Sequence, residues 1–147
     1  SSNESIFRRT YIDILKNKFE FVLICWSHPE RYFIVDNNAN QEKIFISVIV
    51  PARNEEKNIN TLLETLKHQS YPADLFEVLI LDDFSTDKTA EIVTNFQTKN
   101  IRLISLSDYI ADNAINSYKK KAIEVGIESS RGELILTTDA DCLVHKN

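Results

Sequence analysis

Acidic residues stand directly after two short apolar runs, and carboxylates in such places are candidates for binding a ligand. The pair Asp82-Asp83 follows Glu77–Leu81, and the triplet Asp139-Ala140-Asp141 follows Glu133–Thr138. Both runs show little polar alternation, which is typical of strands covered by helices on both faces. In open α/β sheets the ligand crevice lies outside the carboxyl ends of the strands. We therefore expect these acids to converge on one ligand or metal ion.

Length and charge limit the classes of function. A chain of 147 residues with 43% hydrophobic content forms one domain. Its net charge of −5 and pI near 5.2 argue against a nucleic-acid partner, because phosphate backbones need a clustered basic face. Its basic residues form a run of three at only one place, Lys119-Lys120-Lys121.

The cysteines and the apolar runs bear on location. Cys25 and Cys142 show no metal-ligand spacing, so free thiols in a reducing compartment are expected. The apolar stretch Phe21–Trp26 is far shorter than the ~20 residues that span a bilayer. We expect a cytoplasmic protein. For a longer form of the protein, association with the inner face of the membrane is the alternative.

Residues 1–43 differ in pattern from the remainder. Apolar residues between Ile6 and Phe19 predict an amphipathic helix, which Phe21–Trp26 and a polar stretch at 36–40 follow. We interpret the segment as an N-terminal extension, helical and either packed on the main domain or serving as a linker. Its balanced charge favours the packed form over contact with a membrane surface.

Residues 44–147 alternate between strand and helix patterns, which predicts a mostly parallel sheet. Pro51 is expected to stop the first strand, Asn54 to cap the first helix, and Gly132 to close the last helix. The predicted strands are Ile44–Val50, Phe76–Leu81, Ile101–Leu106 and Glu133–Thr138, and the predicted helices are Glu55–Gln69, Thr86–Phe96 and one from about Tyr118 past Ile127.

Three motifs in order carry a resemblance to a known family. They are the first strand and its turn at Val48–Glu56, the second strand end at Asp82–Asp87, and the triplet Asp139-Ala140-Asp141. Together they resemble the nucleotide-sugar half of a family 2 glycosyltransferase, over about Ile46–Leu143. The resemblance implies a GT-A (Rossmann-like) α/β fold, a mostly parallel sheet with helices on both faces, truncated here after the strand that carries the DxD triplet.

The negative charges of the acids and of a diphosphate ligand, as well as the resemblance, predict a metal ion between them. A bare carboxylate ~5 Å from a diphosphate charge repels it by about 3 kcal/mol at an effective dielectric of about 20. A hard cation, Mg²⁺ or Mn²⁺, would take oxygen ligands from the triplet and from the diphosphate. Alternate residues of an extended segment share a side, so both acids can reach it. By resemblance, Asp141 ligates the metal and Asp139 contacts the ribose or the sugar, and both acids are assigned to the metal site.

Resemblance also assigns nucleotide contacts. Asp83 would accept the N3–H of uracil, which favours a UDP-sugar, although Asp can also accept from guanine. Pro51 and Glu55 match positions that meet the nucleoside, while Glu55 as an ordinary first-turn helix acid stays open. Arg53 stands where many members have an aromatic residue, so it either stacks on the base or forms a salt bridge.

The remaining assignments concern flanking residues. Leu81, at the end of its strand, joins the nucleotide-binding set. Asp82 is expected to cap the following turn. In related enzymes a basic residue near 119–121 lies close to the nucleotide, and we assign this role to Lys120 or Lys121.

Transfer itself needs a general base, which in this family is usually an acid on a later segment. Residues 142–147 offer only His145 as a base near neutral pH. We expect the base to lie beyond Asn147, and these residues alone to bind donor without transferring it to the saccharide, lipid or protein acceptor. A non-catalytic sugar-nucleotide-binding or scaffolding module of the same fold is the alternative. A receiver domain is disfavoured, because there the acidic pair ends the first strand.

Overall fold

The structure is a computed structural model that describes residues 44–96, 98–110 and 118–144, together with the backbone of residues 21–24. These residues form five strands, three α-helices and one 3-10 turn. The strands are β1 (Phe21–Ile24), β2 (Ile46–Ala52), β3 (Phe76–Asp82), β4 (Ile101–Ser105) and β5 (Leu134–Thr137). The helices are α1 (Ile59–Lys67), α2 (Thr89–Asn95) and α3 (Tyr118–Ser129), and the 3-10 turn is Leu106–Asp108.

All five strands are parallel and lie in the order β1-β5-β2-β3-β4. The central pair β2 and β3 is in register from Ile46 opposite Phe76 to Ala52 opposite Asp82. Strand β5 lies on the other side of β2, with Ile46 opposite Leu134. The predicted mostly parallel sheet is confirmed, and the carboxyl ends of β2, β3 and β5 lie at one edge.

Apolar side chains on the central strands alternate between two cores, one on each face of the sheet. Val48, Val50 and Ile80 pack with the buried leucines of α1 and with Val93 of α2. On the opposite face, Ile49 and Leu79 pack with the buried side of α3. Because every second residue of a strand faces the same side, both faces of β2 and β3 are apolar. The prediction of helices on both faces is confirmed.

One edge strand comes from a segment that the sequence analysis treated as an extension. The backbone of β1 pairs with β5 from Phe21 opposite Leu134 to Ile24 opposite Thr137. The rest of residues 1–43, including the predicted amphipathic helix, Cys25, Trp26 and His28, lies outside the described residues. Within the described ranges, no helix has both the length and the apolar character needed to cross a membrane.

Pro51 does not stop the first strand, contrary to the prediction. It lies inside β2, opposite Leu81. The backbone of Ile49 accepts from Thr138 on the β5 side, whereas Ala52 accepts from Asp83 on the β3 side. Successive residues of a parallel strand direct their backbone groups to opposite neighbours, so the nitrogen of Pro51 faces the same side as the carbonyl of Ile49, the side of β5. The pairing of β2 with β5 has ended before Pro51, so its missing N–H costs no hydrogen bond between strands.

The first two helices begin later than predicted. Helix α1 starts at Ile59 rather than Glu55, and α2 starts at Thr89 rather than Thr86. Asn54 is therefore not the N-cap of α1. Its φ of 55° is left-handed, and its side-chain Oδ1 accepts from the backbone N–H of Thr86 at 2.8 Å. Propensity alone did not reveal that the turns after β2 and β3 bind each other.

Further hydrogen bonds join these two turns. The backbone N–H of Asn54 donates to Ser85 Oγ at 3.0 Å, and the N–H of Glu55 donates to Thr89 Oγ1 at 2.8 Å. Asp87 Oδ2 accepts from the N–H of Glu56 at 3.1 Å. The loop that follows β2 is thus held against the loop that follows β3. These hydrogen bonds fix the carboxyl ends of the strands, which we call the upper edge of the sheet.

Gly132 is not the C-cap of the last helix. It lies three residues beyond Ser129, and its φ is not positive. Its N–H donates to Ser47 Oγ at 2.8 Å, and an added Cβ would stand 2.5 Å from the backbone nitrogen of Ser47. Close approach of two backbones, rather than a left-handed turn, explains the glycine.

The amino-terminal ends of the strands, which we call the lower edge of the sheet, are organised around the buried carboxylate of Glu77, which is 1% exposed. It accepts from Ser47 Oγ at 2.7 Å, from the backbone N–H of Arg131 at 2.7 Å and from the Arg102 guanidinium at 3.2 Å. Burial acts to raise the pKa of Glu77, but the hydrogen bonds from Arg131 and Ser47 and the charge of Arg131 outweigh it and hold this pKa below its ordinary value. The group is ionised and its oxygens are fully used.

Glu77→Gln should lower the free energy of unfolding by about 1–3 kcal/mol at neutral pH, because a neutral amide cannot accept all of these bonds. The native carboxylate has a lowered pKa, so its contribution is present above the unfolded pKa and disappears as the pH falls through the folded pKa. Urea denaturation of the native chain and of Glu77→Gln between pH 7 and pH 3 should show the difference between their free energies of unfolding shrinking as the pH falls. Glu128→Gln, which replaces an exposed acid on α3, is the control. A difference in unfolding free energy between the native chain and Glu77→Gln that stays constant with pH would contradict the lowered pKa of Glu77.

Asn54→Ala should destabilise the chain by about 1–2 kcal/mol, because it removes the acceptor for Thr86 and replaces asparagine, which tolerates a left-handed φ, with alanine, which tolerates it less well. Asn54→Gly removes the same acceptor but tolerates this backbone, so its loss should be smaller. Chemical denaturation of the two variants makes the comparison. A glycine variant as unstable as the alanine variant would show that the backbone conformation carries no cost.

Candidate functional site

The carboxyl ends of β2, β3 and β5 open onto a cleft with a volume of about 260 Å³. Residues from all three strand ends and from the start of α3 line it. They are Pro51, Ala52, Arg53, Glu55, Asp83, Lys119, Asp139, Ala140 and Asp141. The structure thus brings the acids of both sequence motifs to one place, as the strand-end argument predicts.

The acidic triplet forms a tight turn rather than the extended segment assumed in the sequence analysis. The backbone N–H of Cys142 donates to the carbonyl of Asp139 at 3.2 Å. Ala140 is buried, whereas Asp141 is exposed and Asp139 is partly exposed. One ligand atom from each of Asp139, Asp141 and Cys142 lies within 4.8 Å of the other two. The turn, not strand alternation, is what brings the two carboxylates together.

Lys119 binds one of these acids. Its Nζ lies 2.6 Å from Asp139 Oδ1, the length of a charge-assisted hydrogen bond. Lys120 and Lys121, the two lysines assigned from the sequence, do not line the cleft, and Lys121 pairs with Glu124 at 3.4 Å. A run of three lysines at a helix start does not reveal which one faces the cleft, because helix rotation decides it.

Asp83 faces the cleft from the end of β3 and is 12% exposed at its side chain. Its Oδ2 lies 3.7 Å from the Arg53 guanidinium, which also lies over the ring of Tyr118 at 5.5 Å from its centroid. Tyr118 in turn meets Phe84 edge to face, with centroids 5.8 Å apart. The structure shows Arg53 in a salt bridge with Asp83, and its stacking on a base stays a prediction. Tyr118 and Phe84 were not singled out in the sequence analysis.

Glu55 lines the cleft and precedes α1 by four residues, so it is not an ordinary first-turn acid of that helix. Its Oε2 accepts from Asn58 Nδ2 at 2.9 Å. Its backbone carbonyl accepts from the N–H groups of Asn58 and Ile59. The carboxylate is held at the rim of the cleft by the turn that leads into the helix.

Leu81 and Asp82 do not line the cleft. Leu81 is fully buried in the core beneath α3. Asp82 is 6% exposed, and in the described part of the chain its Oδ1 has no hydrogen-bond partner. The turn after Asp82 is bonded by Asn54 and Asp87, so the predicted capping role of Asp82 is not what the turn depends on. His145 lies outside the described residues.

The chain was compared with known proteins. The model of glycosyl transferase family 2 matches residues 47–147. Glycosyltransferase AglE of Haloferax volcanii is 38% identical over 102 residues, which are 69% of this chain and 32% of AglE. A dolichyl-phosphate beta-glucosyltransferase of Dictyostelium discoideum is 36% identical over 118 residues, 74% of this chain and 34% of the relative. The chain therefore spans about a third of the length of these two relatives.

Solved structures give the same result. The Staphylococcus aureus protein TarS, in complex with UDP, superposes with a TM-score of 0.57 at 37% identity, covering 67% of this chain and 28% of that one. The mannosyltransferase PcManGT of Pyrobaculum calidifontis, in complex with GDP-Man and Mn²⁺, superposes with a TM-score of 0.56 at 28% identity, covering 67% of this chain and 28% of that one. The family model covers the part of the fold that carries the cleft. The chain belongs to glycosyl transferase family 2.

Proposed function

We propose that this chain binds a nucleoside-diphosphate sugar, with a UDP-sugar favoured, through a divalent metal ion, as the donor site for sugar transfer. The observation that carries the proposal is the meeting of Asp83, Asp139 and Asp141 in one cleft at the carboxyl edge of a parallel sheet. Relatives support it: TarS is solved with UDP and with UDP-GlcNAc, and PcManGT with GDP-Man and Mn²⁺.

The residues present fit a hard divalent cation. Asp139 and Asp141 offer carboxylate oxygens, the ligands that Mg²⁺ and Mn²⁺ prefer. The ammonium of Lys119 already lies against Asp139, so the electrostatics of the turn favour a positive charge there. When bound, the metal would stabilise the negative charge that develops on the leaving diphosphate.

The other residues that line the cleft suit two parts of such a ligand, its base and its diphosphate. We propose that Asp83 accepts an N–H of the base, and that Pro51 and Glu55, which also line the cleft, form the adjacent wall. Lys119, in place of the expected Lys120 or Lys121, lies against Asp139 and would bind diphosphate oxygens. Leu81 is proposed only as support beneath the site, since its side chain is buried.

Transfer also needs an acceptor and a base to deprotonate it. A carbohydrate, lipid or protein hydroxyl is the proposed acceptor class, with inversion at the anomeric carbon. The described residues after the acidic turn, Cys142–Val144, contain no carboxylate. We therefore propose that the base comes from sequence beyond Asn147. Membrane association belongs to a longer form of the protein, and a cytoplasmic location remains part of the proposal.

Calorimetry of this chain with UDP should show binding that depends on Mn²⁺. Repulsion of about 3 kcal/mol between a carboxylate and a diphosphate charge corresponds to roughly a hundredfold in affinity, so EDTA should weaken binding by at least about tenfold. Asp141→Asn should remove most of the effect of the metal.

Asp74→Asn is the matched control, because Asp74 is an exposed acid before β3 at the opposite edge of the sheet. It should leave both the affinity for UDP and its dependence on Mn²⁺ unchanged. Equal binding of UDP with Mn²⁺ and with EDTA would refute the metal role. Binding of UDP-sugar without turnover in any longer form would favour the non-catalytic module.

A further inference from the structure

An ion pair lies in the cleft between Lys119, at the start of α3, and Asp139, directly after β5. The lysine Nζ lies 2.6 Å from Asp139 Oδ1, and both residues line the cleft together with Asp141. Their side chains are 52% and 29% exposed, so solvent and a ligand can reach the pair. An ion pair as exposed as this contributes little to stability. Its position, on a carboxylate that we propose binds a metal ion, points to a role in ligand binding.

The ammonium of Lys119 and a metal ion would compete for the same oxygen. A hard cation such as Mg²⁺ binds carboxylate oxygens at about 2.0–2.1 Å. The ammonium already donates to Asp139 Oδ1. Two cations on one oxygen would lie within a few ångströms of each other, where their charges repel. The pair with Lys119 therefore lowers the affinity of Asp139 and Asp141 for a metal ion.

The start of α3 is held by side-chain packing, whereas the lysine side chain itself is flexible. Tyr118, the residue before Lys119, meets the ring of Phe84 edge to face, with centroids 5.8 Å apart. The Arg53 guanidinium lies 5.5 Å from the centroid of the same tyrosine ring. Lysine has a four-carbon stem with rotatable bonds and three donors that are not fixed in one plane. The ammonium can therefore exchange one anionic oxygen in the cleft for another while α3 stays in place.

From this arrangement we infer that Lys119 couples the binding of the metal ion to the binding of the diphosphate. Before the donor binds, the ammonium neutralises Asp139 and opposes the binding of a metal ion. When the donor binds, the ammonium leaves Asp139 for a diphosphate oxygen, and Asp139 Oδ1 becomes available to the metal. Each ligand then raises the affinity for the other, as linkage requires. The inference rests on the proposed function and deepens it, because it makes Lys119 control when the metal binds.

The test measures each ligand separately, with the native chain and with Lys119→Met, which removes the ammonium and keeps an unbranched side chain. Electron paramagnetic resonance detects free Mn²⁺ and so gives the affinity of the chain for Mn²⁺ without nucleotide. Calorimetry gives the affinity for UDP in excess Mn²⁺. Lys119→Met should bind Mn²⁺ alone about fivefold more tightly, because no ammonium competes for Asp139. It should bind UDP about tenfold more weakly, because a hydrogen bond between charged groups is lost.

Opposite changes for the two ligands distinguish this coupling from a loss of structure, which would weaken both. Lys119→Arg keeps a positive charge and its donors, so its affinity for Mn²⁺ alone should stay within about twofold of the native value. Lys88→Met removes an exposed charge at the same edge of the sheet, before α2, and should change both affinities by less than about twofold. Thermal unfolding of Lys119→Met should match that of the native chain, since the side chain is exposed.

The outcomes separate this inference from the proposed function. If the native chain does not bind UDP in Mn²⁺, both fail. If it binds UDP but Lys119→Met binds Mn²⁺ alone no more tightly than the native chain, the coupling role of Lys119 is overturned and metal-dependent donor binding stands. The same holds if Lys88→Met or Lys119→Arg tightens Mn²⁺ as much as Lys119→Met does, or if Lys119→Met leaves the affinity for UDP unchanged.

Discussion

The structure depends on one buried carboxylate at the edge of the sheet opposite the cleft. Glu77 on β3 binds Ser47 on β2, Arg102 on β4 and Arg131 before β5, so a single group connects four neighbouring strands. Burying this charge is tolerable only because its oxygens are fully hydrogen-bonded. Only one register satisfies these partners, and the register fixes where each strand ends at the other edge.

The two edges of the sheet use acids in opposite ways. At the lower edge, donors from Ser47, Arg102 and Arg131 leave the oxygens of Glu77 with no capacity for a ligand. At the upper edge, the carboxylates of Asp139 and Asp141 belong to a turn that is partly exposed to solvent, and Lys119 pairs with Asp139. Breaking a solvent-exposed ion pair costs little, whereas breaking a buried and fully hydrogen-bonded network leaves an uncompensated charge. The fold thus keeps its buried structural carboxylate apart from the carboxylates that we propose bind the ligand.

Much of the fold and the position of the site could be predicted from the sequence, for physical reasons. Apolar runs without alternation indicate strands buried on both faces, and the carboxyl ends of parallel strands lie together, so the sequence predicts Asp83 and Asp139 at one edge of the sheet. What could not be predicted depends on contacts between distant segments. Examples are the pairing of the two turns through Asn54, the close approach of Gly132 to Ser47, and the rotation of α3 that selects Lys119 over its neighbours. The edge strand β1 was missed because an apolar run without turn signals does not identify its partner.

The central claim is that a divalent metal and a nucleoside diphosphate bind together at the carboxyl edge. Its most direct test is NMR of the ¹⁵N-labelled chain with UDP, comparing paramagnetic Mn²⁺ with diamagnetic Mg²⁺. The account predicts that Mn²⁺ broadens the amide signals of residues 139–142 first and those of Arg53 and Asp83 next, while the signals around Glu77 and Arg131 at the opposite edge persist. Broadening that centres on another part of the chain, or that is identical with and without UDP and spread over the whole surface, would contradict it.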